Sequence, residues 1–554
     1  MQGSSMITRR TFLTNMALAA GFVSLSFSFP TLATEQPEVS VTGGTIRGVI
    51  ENGSLAFRGV PYAADTSGEN RFRAPQPVTP WEGIRDASSY GHMVPQIKSS
   101  LGKDDPIFEW YYQPQDMGED GLVLNVYSKD LNTKAKRPVM FYIHGGGYIN
   151  GSGGGSGLNG GPLARFGDVV VVTINHRLNA FGYTAWSHLD NKHFSDSVNV
   201  GHLDIIAALK WVQNNIQSFG GDKDNVTLFG QSGGGSKILS LIAMPEAKGL
   251  FHKAISMSGA AGLNLDKQEE LEPYSNAFLA ELGLTPEEVS KAQNVSMNDI
   301  LEARTRAVRK TFEGARPAID GKHILYQTMS PEGMAVYSDI PLMFGHTKTE
   351  STLFMRSDMR NFHISESQMR SRLKSGFGID DTKVDQIVDA YRKTDPQMTP
   401  SDILIAVTSD VQFRVPLERA AATRASAEGQ APVWMYNFTW EIPQDNGVLG
   451  SPHAVDIPFA FGTLDAAGAM IGDGDSAYET SLNMMSAFVA FARTGNPNNP
   501  RLPHWDPYNS DTKVSMSMNA NPQAVSNWRG EGREAVEDLV IDPFNRASLY
   551  SYKE

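Results

Sequence analysis

The chain of 554 residues carries 48 basic and 61 acidic side chains, so its formal net charge is −13. That acidic balance argues against nucleic acid or an anionic membrane surface as a partner. The chain contains no cysteine, which excludes disulfide bonds, so its stability must come from a buried core that a chain of this length can supply.

The N-terminal residues have the features of an export signal. Residues 8–13 read TRRTFL, which resembles a twin-arginine motif, an apolar run follows at 16–25, and residues 31–33 offer a small-residue cleavage site. The run is too short and too rich in serine to predict a stable membrane insertion. We therefore expect residues 1–33 to be a signal peptide and residues 34–554 to be exported, already folded, to the periplasm or beyond. An uncleaved apolar anchor is the alternative.

Apolar runs that predict strands alternate with helical patterns along the rest of the chain. This alternation predicts a single α/β domain with a mostly parallel central sheet flanked by helices. Residues 264–335 and 357–430 carry apolar residues at helical spacing and are interpreted as insertions into that domain. We interpret the first insertion as a cap beside the functional site, although a plain layer of surface helices fits its pattern as well. The predicted strands lie near residues 139–143, 169–174, 226–231, 253–257, 341–345 and 433–438.

A run of glycines follows the predicted strand at 139–143. Residues 144–148 read HGGGY, and consecutive glycines let main-chain N–H groups turn inwards. Such N–H groups bind the oxyanion that forms when a carbonyl carbon is attacked, so Gly146 and Gly147 are the predicted donors. A flexible linker is the alternative, because residues 151–157 are also rich in glycine. Linkers do not usually emerge from one buried strand and lead into another.

The sequence GQSGG at residues 230–234 fits the pattern G-x-S-x-G. It follows a β-prone run and precedes a segment that can start a helix, which is the setting of a nucleophile elbow. Ser232 is therefore the predicted nucleophile, and the N–H of Gly233 is a third predicted oxyanion donor. The sequence shows no HExxH, CxxC or Walker motif, so it predicts neither a metal nor an organic cofactor.

These motifs and several other segments, all in the same order, resemble the type-B carboxylesterases and cholinesterases. The resemblance implies an α/β-hydrolase fold and hydrolysis of a small-molecule ester through an acyl-enzyme intermediate. The further segments are AFRGVPYA at 56–63, RFRAPQP at 71–77, EDGLVLNV at 119–126, NHRLNAFG at 175–182 and the stretch 199–222.

The resemblance also assigns the base and the acid that would serve Ser232. His453 lies in PHAVDIPF, which is similar to the family's H-G-x-E-x-P-Y segment, whereas His504 is better interpreted as part of a surface turn. Glu350 lies in GHTKTES, which is similar to the family's G-x-x-x-D-E-G. Asp320 is the rival acid, in a segment that resembles one that shapes the family's pocket.

Other residues are assigned supporting roles by the same resemblance. Ser258 and Asp456 correspond to positions that support the triad by hydrogen bonding, although each also fits an ordinary polar loop residue. Tyr148 is expected to shape the acyl side of the pocket. The aromatic residues expected to border the substrate pocket are Trp110, Tyr111 and Tyr112.

The sequence is also compatible with two other functions. A carbamate or amide hydrolase would use the same residues, because those reactions also need a serine nucleophile, a base and an oxyanion site. A non-catalytic binding protein of the same family would have lost the serine. The chain keeps Ser232, Glu350 and His453 together, which favours catalysis.

Overall fold

A large mixed sheet carries the fold. The computed structural model describes residues 36–99, 101–472, 474–541 and 546–552, so the expected signal peptide lies outside the described residues. The strands are β1 Glu38–Val41, β2 Gly44–Arg47, β3 Val49–Glu51, β4 Ser54–Pro61, β5 Ile84–Asp86, β6 Val123–Ser128, β7 Arg137–Ile143, β8 Val170–Ile174, β9 Gly221–Gln231, β10 Lys253–Met257, β11 Asp266–Lys267, β12 Ala318–Ile319, β13 Leu342–Thr347, β14 Val433–Phe438, β15 Val514–Met518 and β16 Gln523–Ser526.

Helices fill the connections between the strands. They are α1 Gly161–Gly167, α2 Asn179–Gly182, α3 Asn191–Phe194, α4 Val200–Asn215, α5 Gly233–Ile242, α6 Gln268–Glu281, α7 Met297–Thr311, α8 Pro331–Val336, α9 Thr352–Met355, α10 Glu366–Phe377, α11 Asp381–Thr394, α12 Pro400–Ser409, α13 Val415–Ser426, α14 Ile457–Phe461, α15 Gly468–Ile471, α16 Ser476–Thr494, α17 Gly530–Val536 and α18 Arg546–Tyr550. A π-helical segment, Asp410–Arg414, joins α12 to α13. No helix among the described residues is both long enough and apolar enough to cross a membrane.

The order of strands in the main sheet is β16-β15-β14-β13-β10-β9-β7-β8-β6-β4-β3. The strands from β8 to β15 in that order are all parallel, and antiparallel pairs occur only towards the two edges. The expected mostly parallel sheet flanked by helices is confirmed. Since β9, β13 and β14 are parallel, their carboxyl ends lie at one edge of the sheet, which is where ligands bind in open α/β sheets.

Both faces of the sheet are covered, and the alternation of side chains along β7 shows how. Val139, Phe141 and Ile143 join the core cluster on one face, where α4 packs. Met140 and Tyr142 join the cluster on the other face, where α16 packs. Strands buried on both faces have continuous apolar sequences, which is why these runs were recognisable in the sequence.

The two helical insertions pack in different places. Helices α6 and α7 of the first insertion enclose an aromatic cluster in which Phe278 stacks on Trp186, with ring centroids 5.4 Å apart. The second insertion, α10 to α13, has its own core around Leu373, Ile387 and Leu404.

Candidate active site

The turn between β9 and α5 holds Ser232 in a strained backbone conformation. Its φ is 56° and its ψ is −124°, a combination that non-glycine residues adopt only when their surroundings enforce it. The flanking glycines make the turn possible, because a Cβ at Gly230 would lie 2.6 Å from the Ile143 carbonyl oxygen and one at Gly234 would overlap the same atom. The N–H of Ser232 donates to the Met257 carbonyl at 2.7 Å, which ties the turn to β10.

The glycine loop after β7 lies directly against this turn. Gly146 and Gly147 have φ values of 87° and 62°, in the left-handed region that favours glycine. A Cβ at Gly233 would overlap the carbonyl oxygen of Gly147, so the two backbones touch and only glycine permits that approach. The three glycines whose N–H groups are the expected oxyanion donors therefore border one cavity together with Ser232.

Glu350 and His453 form a buried pair. The Nδ1 of His453 lies 2.5 Å from Oε2 of Glu350, whose side chain is completely buried. The other carboxylate oxygen accepts hydrogen bonds from the Ser258 hydroxyl at 2.6 Å and from the Thr347 N–H at 2.8 Å. Burial opposes ionisation of Glu350, but the charge and hydrogen bond of His453, with these two donors, lower its pKa below the ordinary value.

His453 reaches the cavity that Ser232 lines. The amide nitrogen of Gln231 lies 3.2 Å from Nε2 of His453, and the hydrogen bonds among the described residues do not include one from Ser232 Oγ to that nitrogen. In ligand-free enzymes such bonds are frequently long and shorten only when substrate is bound. The arrangement places Ser232 and His453 at one cavity, with the buried Glu350 behind His453.

Asp456 is buried near this pair but forms its hydrogen bond with another residue. Its Oδ2 accepts a hydrogen bond from the Tyr436 hydroxyl at 3.0 Å. Complete burial, together with the negative charge of Glu350, raises the pKa of Asp456 to about 7. Of the two expected supporting residues, Ser258 contacts Glu350 itself, whereas Asp456 bonds to Tyr436 and is affected by the charge of Glu350.

The cavity has a volume of about 870 Å³ and walls that are mostly apolar. The rings of Phe354 and Phe413 lie against the imidazole of His453, with centroids 5.4 Å and 4.9 Å away. Tyr111 and Tyr148 also border the cavity. Such walls accommodate apolar parts of a substrate, while Asn150, Asn264 and Gln412 add polar groups to the lining.

The structure corrects the placement of Trp110 and Tyr112, which do not border this cavity. Trp110 is fully buried, and its indole N–H donates to the Ile107 carbonyl at 3.1 Å. A short 3₁₀ helix, Pro106–Tyr111, turns consecutive side chains in different directions, so only Tyr111 of the three neighbouring aromatic residues borders the cavity. Tyr112 borders a separate small pocket beside Tyr111.

The rejected candidates for base and acid lie elsewhere. His504 is exposed and pairs with Asp506 at 2.9 Å. Asp320 accepts hydrogen bonds from the N–H groups of three residues in its own loop, including His323 at 2.8 Å, and from the Asn199 side chain. Neither of them lines the cavity.

Of the two interpretations of the first insertion, the lining of the cavity favours a layer of surface helices over a cap. The cavity takes Gln412, Phe413 and Pro416 from the second insertion, whereas the first insertion, residues 264–335, contributes only its first residue, Asn264. The first insertion instead packs as a surface layer over Trp186. Apolar periodicity shows that a helix is buried on one side but not what lies on that side, so the sequence could not distinguish the two.

Sequence reasoning missed several residues of the site. Phe354 and Phe413 lie in segments with no recognisable motif. Gln231 sits within the elbow motif at a position that the pattern leaves open, and Lys237 follows the motif in α5. Among the described residues, no group of three or more His, Cys, Asp or Glu side chains could hold a metal ion.

Known proteins resemble this chain over most of its length. A sequence model described as "Carboxylesterase family" matches residues 35–535. The chain is 35% identical over 506 residues to the para-nitrobenzyl esterase of Bacillus subtilis, covering 90% of this chain and 98% of that protein. It is 31% identical over 516 residues to the phenmedipham hydrolase of Pseudarthrobacter oxydans, covering 91% and 97%. The solved carboxylesterase of Geobacillus stearothermophilus superposes with a TM-score of 0.77 at 31% identity, covering 90% and 99%.

Proposed function

Since the chain belongs to the carboxylesterase family and is a carboxylic ester hydrolase, we propose that it cleaves its substrate through an acyl-enzyme formed on Ser232. The observation that carries the proposal is the meeting of a strained serine, the His453–Glu350 pair and three glycine backbones around one cavity. Each part has a defined task in ester hydrolysis by a serine nucleophile.

In the first half of the reaction, His453 takes the proton of Ser232 Oγ as that oxygen attacks the acyl carbon. Negative charge passes to the carbonyl oxygen, which the N–H groups of Gly146, Gly147 and Gly233 stabilise. Glu350 holds the Nδ1–H of His453 and stabilises the imidazolium that forms. The tetrahedral intermediate collapses, the bond to the alcohol oxygen breaks, and His453 gives its proton to the leaving alcohol.

The second half repeats these steps with water. His453 removes a proton from a water molecule whose oxygen attacks the acyl carbon, and the same N–H groups stabilise the second oxyanion. Collapse returns the proton from His453 to Ser232 Oγ and releases the acid.

The lining of the cavity favours esters with apolar acyl or alcohol groups. Phe354, Phe413 and Leu353 offer hydrocarbon surface next to the reacting atoms, and Tyr148 stands beside the oxyanion glycines. We therefore propose aryl or alkyl esters of small apolar acids as the substrate class. One relative is named phenmedipham hydrolase, so a carbamate or amide substrate remains the second candidate.

The test is hydrolysis of p-nitrophenyl esters of increasing acyl length, with the matching anilides and phenmedipham in parallel. Wild type is compared with Ser232→Ala and His453→Ala, and His504→Ala serves as the matched histidine control. We expect ester turnover that is lost with Ser232→Ala, nearly lost with His453→Ala and unchanged with His504→Ala. Turnover retained by folded Ser232→Ala would refute the acyl-serine mechanism.

We also propose that the protein reaches the periplasm, or the space beyond it, by a twin-arginine signal. The support is the sequence of residues 8–33 alone, which lies outside the described residues. The lack of cysteine is compatible with folding in a reducing compartment before export.

A further inference from the structure

A buried lysine lies directly behind the oxyanion loop. Lys237 is the fifth residue of α5, the helix that begins after Ser232, and its side chain is completely buried. Its ammonium group donates to the carbonyl oxygen of Gly147 at 2.7 Å and to that of His144 at 3.3 Å. It also lies over the ring of Tyr148, 5.6 Å from the centroid. No carboxylate of the described residues forms an ion pair with it.

These two carbonyl groups bracket the expected oxyanion donors. The chain runs from His144 through Gly146 to Gly147, so the lysine holds the loop on both sides of the donating N–H groups. The two glycines of the loop have left-handed backbone conformations, and a glycine can leave such a conformation at little cost in energy. The loop therefore needs contacts that fix its conformation. A hydrogen bond from an ammonium group to a carbonyl oxygen is shorter and stronger than one from a neutral donor.

Burial of this ammonium group is costly and calls for an explanation. A charged group taken out of water without an opposite charge destabilises the fold, and an apolar side chain of similar length would fill the same space without that cost. Burial correspondingly lowers the pKa of Lys237 to about 7. What the charge can do at this place is attract the negative charge that develops on the other side of the loop during the reaction.

We propose that Lys237 is a positioning residue of the ester-hydrolysis site, which ties residues 144–147 to α5 and backs the oxyanion-binding N–H groups with a positive charge. The proposal rests on the proposed function, since it presumes an oxyanion at Gly146 and Gly147. Lys237 touches neither Ser232 nor the space that the substrate would fill. It acts through the loop.

The titratable groups that face Lys237 do not change their charge in the pH range in which Lys237 does. They are His144 and Tyr148 of the loop, His176 after β8 and His202 of α4. Burial, and then the charge of Lys237, lower the pKa of His144 and of His202 to about 3 and that of His176 well below its ordinary value. Burial raises the pKa of Tyr148 far above the neutral range. Within this group of five, only Lys237 changes its charge near neutral pH.

The test compares Lys237→Met, which keeps the length without charge or donor, with Lys237→Gln, which keeps a donor without charge. Lys253→Met is the matched control, because Lys253 is also buried but bonds to Asn225 in β9, at the opposite edge of the sheet from Ser232. At pH 6 we expect kcat to fall about tenfold or more in both Lys237 variants, with KM changed less than about threefold. Their affinity for a trifluoromethyl ketone, which forms a tetrahedral oxyanion on the serine, should fall in parallel with kcat/KM.

The pH profile separates charge from mere packing. Loss of the lysine proton removes the charge, so the ratio of wild-type kcat to Lys237→Met kcat should fall as pH rises through about 7. Dividing by the variant cancels any pH dependence that both proteins share. Lys253→Met is expected to change the melting temperature and neither kcat nor this ratio.

The outcomes are distinct. If the folded Lys237 variants keep wild-type kcat, ketone affinity and a ratio independent of pH, the proposal is wrong and the lysine is only a packing element. If Lys237→Met does not fold, the same measurements on Lys237→Gln, whose side chain keeps a polar end, test the proposal. Ser232→Ala measured alongside shows whether wild-type turnover depends on the serine at all. A failure there overturns the proposed function rather than the role of Lys237.

Discussion

Glu350 is ionised in a place where burial alone would keep it protonated. Three donors, the imidazole of His453, the hydroxyl of Ser258 and the N–H of Thr347, saturate its two oxygens. Asp456 is equally buried but accepts one hydrogen bond, and the charge of Glu350 opposes its own. Two neighbouring carboxyl groups thus receive opposite pKa shifts from their surroundings, which suits one of them to hold a protonated histidine.

If Glu350 is the acid of the triad, replacing it with an amide should have a much larger effect on kcat than the same change at Asp320. Glu350→Gln cannot stabilise the imidazolium and offers His453 a group of the wrong polarity, so kcat should fall about 1,000-fold or more. Asp320→Asn keeps the oxygen that accepts the N–H groups of its loop, so kcat should stay within about threefold. Steady-state kinetics on a p-nitrophenyl ester measures both, and a larger loss in Asp320→Asn would reverse the assignment of the acid.

Asp456 predicts a pH dependence of stability. Its pKa is about 7 in the folded protein, against an ordinary value of 3.8, so above pH 4 the unfolded chain releases a proton that the folded protein keeps. The stability that this proton contributes is therefore lost as pH rises from about 4 to about 7. Asp456→Asn does not titrate, so its free energy of unfolding relative to wild type should increase between pH 5 and 8, on the order of 2 kcal/mol.

Urea unfolding of both proteins at several pH values measures that difference. Asp511→Asn, at an exposed position, is the matched control and should show a difference that does not change with pH. A constant difference for Asp456→Asn as well would mean that Asp456 is ionised in the folded protein over this whole range.

At the residue scale, the sequence predicted the parts of the site that local sterics dictate. The elbow at Ser232 and the loop at Gly146 need glycines at fixed spacings, and these leave a readable pattern. Lys237 left no signal, because a lysine early in a helix is usually solvated and only the fold shows that its surroundings are closed. Trp110 was expected at the cavity because a run of aromatic residues does not show in which direction each ring points.

At the scale of elements, the π-helical segment Asp410–Arg414 determines how the second insertion meets the site. Its ends are anchored, since Asp410 accepts a hydrogen bond from the Tyr391 hydroxyl at 2.6 Å and Arg414 donates to Glu418 at 2.7 Å. The wider turn between these anchors brings Phe413 to the cavity and against His453. Single π-turns within helices are frequent at functional sites, where they re-aim a side chain.

A phenylalanine-to-alanine substitution should therefore have different consequences in the two insertions. Phe413→Ala removes a wall of the cavity and a contact of His453, so kcat/KM for aryl esters should change severalfold. Phe278→Ala removes a ring from the cluster of the first insertion, so it should lower the free energy of unfolding by about 3 to 5 kcal/mol and leave kcat/KM unchanged. Kinetics and urea unfolding on both variants check this, and a loss of kcat/KM in folded Phe278→Ala would return the first insertion to the role of a cap.

The central strands were predictable and the outer ones were not. The six predicted strands occur within a few residues of their expected positions, because each is buried on both faces and reads as an apolar run. Strand β9 begins at Gly221 rather than near 226, since its first residues are polar and partly exposed. The short strands β1 to β3, β5 and β16 are partly exposed, so they have no continuous apolar sequence to identify them.

At the scale of the whole molecule, export is the prediction that the sequence alone carries. Lysine in place of both Arg9 and Arg10 should keep the precursor in the cytoplasm, because the paired arginines are the recognised part of such a signal. Cell fractionation followed by ester assay of each fraction measures this. Lysine at Arg85 and Arg309, two exposed arginines of the folded part, is the matched control and should leave export unchanged. Normal export of the first variant would contradict the twin-arginine assignment.

The sheet also separates the side of the molecule that must stay fixed from a side that can be altered. Ser232, Glu350 and His453 all follow the carboxyl ends of strands, so connections at the amino ends do not set the distances between them. Gly249 lies in an exposed turn before β10, at that opposite edge, with φ of 82° and open space around it. A peptide tag inserted there would leave the strand register unchanged. The turn is therefore a suitable point for attaching the protein to a solid support or to a fusion partner, at the edge of the sheet opposite the cavity.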